Sequence, residues 1–318
     1  MTAAGRWRVA VAQPDRLGES PFWHPQERLL YWVDIPALQL RRCDVMAQGA
    51  VESWAMPSEP GCIAPAASGG LVIALRDGIY RARIWRGELV RIAGFEFDPR
   101  STRFNDGKAD PLGRMWAGTM YEPKDAPNAK LYSVDCRADN GKGGQPLVET
   151  KVLGAVTANG LAWSPDCKTV YWTDTPSHAI RAWDWHADSN VMRNERVFKQ
   201  FSGKPAGWRP GDGGYGGRPD GASVDSQGNY WCAMYEGGRV LQISPGGELL
   251  QDIPVPAMCP TMPCFGGDDL KTLFVTTARD KRPAQELERF PESGCVVSMW
   301  VDVAGTGVNL FVDRLTGS

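Results

Sequence analysis

The chain has 318 residues, 37 acidic against 35 basic side chains, a formal charge of −2 and a pI near 6.0. That balance offers no broad electrostatic grip on nucleic acid or on an anionic membrane. No run of 18 apolar residues occurs, and the opening MTAAGRWRVAVAQPDRLGES lacks a long apolar core, so the expectation is a cytoplasmic protein with no membrane span.

Length alone allows two ordinary domains or one repeat array. Read in chain order, one element recurs: a turn rich in Asp, Gly, Pro or Ser, followed by a short aromatic or β-branched run. It reads HPQERLLYWVD from His24, AASGGLVIAL from Ala66, DPLGRMWAGT from Asp110, SPDCKTVYWTD from Ser164, DSQGNYWCAM from Asp225 and GGDDLKTLFVTT from Gly266. Aligned on Trp32, Ile73, Trp116, Trp172, Trp231 and Val275, the copies are 41, 43, 56, 59 and 44 residues apart. Each is followed by a partner strand: LQLRRCD, GIYRARI, KLYSVD, AIRAWDW, GRVLQIS and CVVSMWVDV. A period in the forties with short meandering strands is that of a propeller blade. The expected fold is all-β, a six-bladed β-propeller over 1–318 as a single domain, with both chain ends meeting in the closing blade. A β-sandwich is the alternative, but it does not demand six phased copies. The longer spacings hold the glycine-rich stretches DNGKGG at Asp139 and SGKPAGWRPGDGGYGG at Ser202. Each interrupts a repeat, as an insertion on a propeller face does.

The eight cysteines are scattered without a CxxC pair, several of them in apolar strand-like runs. Buried free thiols are expected, with neither a disulfide framework nor a cysteine-held zinc.

Polar residues recur at one phase. About 10 to 13 residues before each anchor the chain reads LGES, EPGC, RFNDG, TANG, RPDG and PTMPC, starting at Leu17, Glu59, Arg103, Thr157, Arg218 and Pro260. Innermost strands line a propeller's channel, so these places converge. Glu19, Asn159 and Asp220 form an all-oxygen set suited to a hard divalent cation such as Ca²⁺, Mg²⁺ or Mn²⁺; Zn²⁺ or Fe²⁺ fits if water completes the shell. Taken singly, each is an ordinary turn residue. Rival chemistries are poorly supplied: there is no GxSxG elbow, no phosphate loop, and no strand–GxGxxG–helix unit.

Long segments carry a resemblance: LGESPFWHPQERLLYWVDI, RFNDGKADPLGRMWAGTM, NGLAWSPDCKTVYWTDT, PDGASVDSQGNYWCAMYEGGRV and CFGGDDLKTLFVTTARD. Together they resemble the regucalcin/gluconolactonase family, also called the senescence marker protein-30 family. The resemblance implies a six-bladed propeller with one divalent metal in its central pocket, hydrolysing sugar lactones such as glucono-, xylono- or arabinonolactone. The family's metal motifs match Glu19, Asn159 and Asp220, and its substrate-contacting Arg and Asn match Arg103 and Asn105. An acidic residue after GTM that touches the sugar in some members corresponds to Glu122. Asp220 is the candidate general base or water orienter, and Arg103 and Asn105 are expected to act on substrate without disturbing the metal. The insertion after Ser202 has no counterpart in the family pattern and reshapes the pocket mouth. The partner expected is a small sugar lactone, the assembly a monomer or small homo-oligomer. The alternative is a non-catalytic calcium-binding or protein-docking propeller.

Overall fold

The computed structural model describes residues 7–313 except Gly144. After strand β1 (Arg8–Val11), the chain builds four-stranded antiparallel meanders in sequence order. The first holds β2 (Gly18–His24), β3 (Leu29–Asp34), β4 (Gln39–Cys43) and β5 (Glu52–Ala55). The second holds β6 (Cys62–Pro65), β7 (Leu71–Leu75), β8 (Gly78–Ala82) and β9 (Val90–Gly94). In the third are β10 (Thr102–Ala109), β11 (Met115–Tyr121), β12 (Ala129–Asp135) and β13 (Leu147–Ala155). The fourth has β14 (Ala158–Trp163), β15 (Thr169–Asp174), β16 (Ala179–His186) and β17 (Val191–Gln200). The fifth has β18 (Arg218–Val224), β19 (Tyr230–Tyr235), β20 (Arg239–Ile243) and β21 (Leu249–Pro254). The sixth takes β22 (Pro260–Gly266), β23 (Thr272–Thr277) and β24 (Val296–Trp300), and β1 returns to pair with β24 as its outermost strand. The innermost strands β2, β6, β10, β14, β18 and β22 neighbour one another in a closed ring. This is the expected six-bladed β-propeller.

All six anchors of the repeat fall on the second strand of a blade. Trp32, Trp116, Trp172 and Trp231 are among the largest fully buried side chains. They pack between blades, as where Trp116 meets Trp163 edge-on at 5.5 Å. The aspartate opening the turn has a physical role in blades three and five. Asp110 accepts from the amides of Leu112 and Arg114 and from Trp116 Nε1 at 2.9 Å. Asp225 repeats this with the amides of Gln227 and Asn229 and with Trp231 Nε1 at 2.9 Å. One buried carboxylate thus closes the turn and fixes the register of the tryptophan six residues on. The cysteines are free and, Cys167 excepted, buried.

The first strand and the last three share the closing blade, as expected, but the described chain runs on past it. Beyond β24 the chain leaves blade six and crosses the far end of the channel, bridging Gly305 to Asp225, Phe311 to Ala66 and Asp313 to Cys136. The crossing covers backbone and apolar side chains that the innermost strands would otherwise expose there. Phe311 is fully buried, Thr306 donates to Val224 O at 2.9 Å, and Asp313 pairs with Arg81 at 2.8 Å.

Asp225 is fully buried and also accepts from the side-chain amides of Asn229 and Gln242. Asp225→Ala strands five donors, so it should lower the unfolding free energy by about 3 kcal/mol. Urea denaturation reads this directly, and a loss below about 1 kcal/mol contradicts the stapling role.

Candidate active site

A regular strand points alternate residues to opposite faces. Five of the six innermost strands break this rule near their start, each carrying one extra residue relative to its partner. In β2, Glu19 and Phe22 face Val33 and Tyr31; in β14, Asn159 and Ala162 face Thr173 and Tyr171. The same shift lies between Phe104 and Gly107, Pro219 and Ala222, and Pro260 and Met262. Glu19 and Asn159 therefore occupy equivalent positions. Asn105 and Asp220 sit one residue later, so the phase inferred from the sequence is off by one for them. The bulge accommodates the offset: Glu19, Asn105, Asn159 and Asp220 all line one cavity of about 610 Å³ at the mouth of the channel. Arg103 and Glu122 line it too. Asp106, a further residue on, is not part of this lining: its Oδ2 accepts from Leu161 N in the next blade at 3.0 Å. The bulge also forces blades close. A Cβ at Gly107 would lie 2.4 Å from Trp116 O and 2.6 Å from Cys62 Sγ.

A hydrogen-bonded chain links these residues across three blades. Arg103 Nη1 donates to Asn105 Oδ1 at 2.9 Å, and Asn105 Nδ2 donates to Asn159 Oδ1 at 3.0 Å. Asn159 Nδ2 donates to Thr175 Oγ1 at 2.7 Å, and that hydroxyl spends its own proton on Pro219 O at 2.9 Å. Thr175 can therefore only accept from Asn159, which fixes the carboxamide with its oxygen toward Asn105. Asn105 thus touches Asn159 directly, joining a residue expected to act on substrate to one expected to hold the metal.

Glu19 and Asp220 are 7% and 6% exposed, and neither has an ion-pair partner or a side-chain donor among the described residues. Burial, then Asp220 and Asp106, pushes the Glu19 carboxyl well above the usual carboxylate range. Burial pushes Asp220 up to about 8; Arg218 opposes this and Asp106 adds to it. Two buried carboxylates without a direct ion pair among the described residues, beside a carboxamide oxygen with a lone pair to spare, fit a hard divalent cation. Among the described residues no group of three His, Cys, Asp or Glu side chains converges; the fit rests on two carboxylates and an amide. Glu122 stands at the rim, held by Arg76 at 3.0 Å and facing Arg103 Nε at 3.6 Å.

Other residues of the cavity carry no phase in the sequence. Lys124, Lys204, Lys281 and Arg282 come from loops, and Arg218 from the start of β18. The insertion after Ser202 does reach the mouth: it brings in Lys204, and its Tyr215 meets His178 Nε2 at 2.7 Å. Glu236 collects Lys204 at 2.5 Å and Arg218 and Arg282 at 3.0 Å.

Fold and site together define a six-bladed propeller with a polar, carboxylate-bearing pocket at one end of its axis. The family described as SMP-30/Gluconolactonase/LRE-like region matches residues 17–279, and the chain belongs to that family. It is 39% identical over 305 residues to the 6-deoxy-6-sulfogluconolactonase of Pseudomonas putida, covering 96% of this chain and 98% of that one. It is 33% identical to human regucalcin over 302 residues, 92% of each chain. A solved structure of a calcium-binding protein, regucalcin, from Agrobacterium tumefaciens superposes with a TM-score of 0.85 at 25% identity, over 96% of both chains.

Thr175→Val keeps the shape but leaves Asn159 Nδ2 and Pro219 O without partners. Stability should fall by about 1–3 kcal/mol, and Thr175→Ser should recover most of it. Equal denaturation midpoints for all three proteins would exclude Thr175 as the link between blades four and five.

Proposed function

We propose that the chain is a metal-dependent sugar lactonase whose divalent cation is held by Glu19, Asn159 and Asp220. The observation that carries this reading is the pair of buried carboxylates without a direct ion pair among the described residues, beside Asn159 at the bulged ends of three innermost strands. The name of the Pseudomonas putida relative, a lactonase for a sulfonated gluconolactone, supports the reaction class. The rival reading, a docking propeller, needs a contiguous apolar patch. The exposed large apolar side chains instead include Val90, Leu153, Val197, Leu249 and Trp300, spread over the outer parts of five blades.

A lactone is a cyclic ester, and opening it requires a polarised carbonyl and an activated water. A divalent cation bound at the trio supplies Lewis acidity and lowers the pKa of a water. Asp220 would orient an attacking water and accept its proton as the new carbon–oxygen bond forms. The ester bond to the ring oxygen then breaks, and the proton passes to the departing alkoxide, giving the hydroxy acid. Arg103 is held by Phe104 O at 2.8 Å and by Asn105 through Nη1, while Nη2 meets only the weak Met120 sulfur acceptor at 3.9 Å. That Nη2 group donates to a sugar hydroxyl and holds the lactone in a reactive pose.

Three measurements test this. Metal-stripped protein should gain thermal stability on adding at least one of Ca²⁺, Mg²⁺, Mn²⁺, Zn²⁺ or Fe²⁺, by about 2.7 kcal/mol at a hundred times Kd. Glu19→Gln should weaken that response, and no shift with any ion removes the cation site. Asp220→Asn keeps an oxygen but cannot take a proton. Its rate should stay about 10²–10⁴-fold low even at saturating metal, whereas full recovery on metal titration reduces Asp220 to a ligand alone. Arg103→Ala should lower kcat/KM about ten- to a hundredfold, and unchanged kinetics place Arg103 outside the substrate contacts.

A further inference from the structure

The charge on the cavity wall exceeds what a neutral sugar needs. Glu236 alone faces three cations, Lys204, Arg218 and Arg282, of which only Arg282 has a second carboxylate, Glu286 at 2.7 Å. Lys124 and Lys281 line the same cavity from loops of blades three and six, and neither has an ion pair among the described residues. Setting aside Glu19 and Asp220 at the axis, seven cations line the cavity, Arg16 and Arg103 with these five, against four carboxylates, Glu59, Glu122, Glu236 and Asp280. Crowding is felt: burial first, then Arg218, Arg103 and Lys281, pulls the Lys124 ammonium below its usual range. Lys124 and Lys281 also both hold left-handed backbone, with φ of 59° and 57°. Uncompensated like charge and strained loop residues both cost folding free energy. A bound oxyanion offsets the first by accepting several charge-assisted hydrogen bonds at once.

We infer that the lactone taken by this site bears a tetrahedral oxyanion, a sulfonate or a phosphate, remote from its carbonyl, and that Lys124, Arg218 and Lys281 bind it. The inference rests on the lactonase reading above and names its substrate class. The carboxylates Glu19 and Asp220 lie deeper at the axis and the cations at the rim, so the two ends of such a substrate face opposite charges. A lactone with hydroxyls alone would leave the rim unanswered.

The test compares glucono-δ-lactone, 6-phosphoglucono-δ-lactone and 6-deoxy-6-sulfogluconolactone with metal-loaded enzyme at low ionic strength. One of the two anionic lactones should exceed the neutral one in kcat/KM by about ten- to a hundredfold, and added salt should shrink that ratio. The better of the two identifies the oxyanion. In the double variant Lys124→Gln/Lys281→Gln the anionic-to-neutral ratio should fall about tenfold, and Lys→Arg at both positions should restore it. Calorimetry with the open-chain 6-deoxy-6-sulfogluconate reads the anchor without turnover. Hydrolysis with no preference for either anion, or a ratio unchanged in the double variant, overturns the inference and leaves the lactonase standing. Lysine-dependent binding of the sulfonated acid with no lactone hydrolysed keeps the anchor and overturns the lactonase.

Discussion

The extra residue near the start of the innermost strands is the constraint on which the pocket depends. It takes backbone groups out of the sheet ladder at the place where the blades crowd together, and a buried backbone group without a partner is costly. The partners come from other blades, adjacent ones except where Lys108 of blade three reaches Ala222 of blade five. Ser20 Oγ accepts from Ile63 N at 3.0 Å, Asn105 donates to Ala158 O at 3.0 Å, and Asp106 accepts from Leu161 N. Tyr230 donates to Gly160 O at 2.6 Å, Thr175 to Pro219 O, Lys108 to Ala222 O, and Thr261 to Gly18 O at 2.5 Å. The axis is thus sewn together by side chains that repair the bulges. Cohesion between blades and the placing of polar groups at the pocket floor have one cause.

This dual use sets limits on what can change. Asn105 both satisfies a backbone carbonyl of blade four and orients Asn159. Its removal opens a seam as well as a site. Glu19 and Asp220 take no part in the sewing among the described residues, and they are the two axial carboxylates left without a donor.

Much of this was legible in the sequence because it is periodic. The anchor tryptophans recur since each must fill the space between two blades, and the turn aspartates recur since each staples a turn to its tryptophan. Glu19, Arg103, Asn105, Asn159 and Asp220 could be placed around one pocket because blade phase converts sequence spacing into angular position; Glu122 came from the family resemblance alone. What escaped falls into two kinds. The outermost strands, such as Glu52–Ala55 and Val191–Gln200, face solvent on much of their length and carry little apolar alternation. The rim cations Lys124, Lys204 and Lys281 stand on loops whose course no period dictates, so their meeting is a property of the folded chain alone. The one-residue offset of Asp220 against Glu19 was hidden because the phase spans 10 to 13 residues before each anchor, a window wider than one strand position.

The pairing of Arg8 with Ser298 joins nearly the first and last strands of the described chain. A nascent chain therefore releases its closing strand first and must wait for some 290 residues of synthesis before that strand finds its mate. Until then five blades can complete their sheets from contiguous sequence, while the sixth cannot. The ring stands open on the ribosome with a gap beside the blade that carries Glu19, and the axial pocket has no far wall. Maturation of this protein is accordingly a late and abrupt event. Closing a loop this long costs about 5 kcal/mol of chain entropy, a sum that grows only slowly with each added residue.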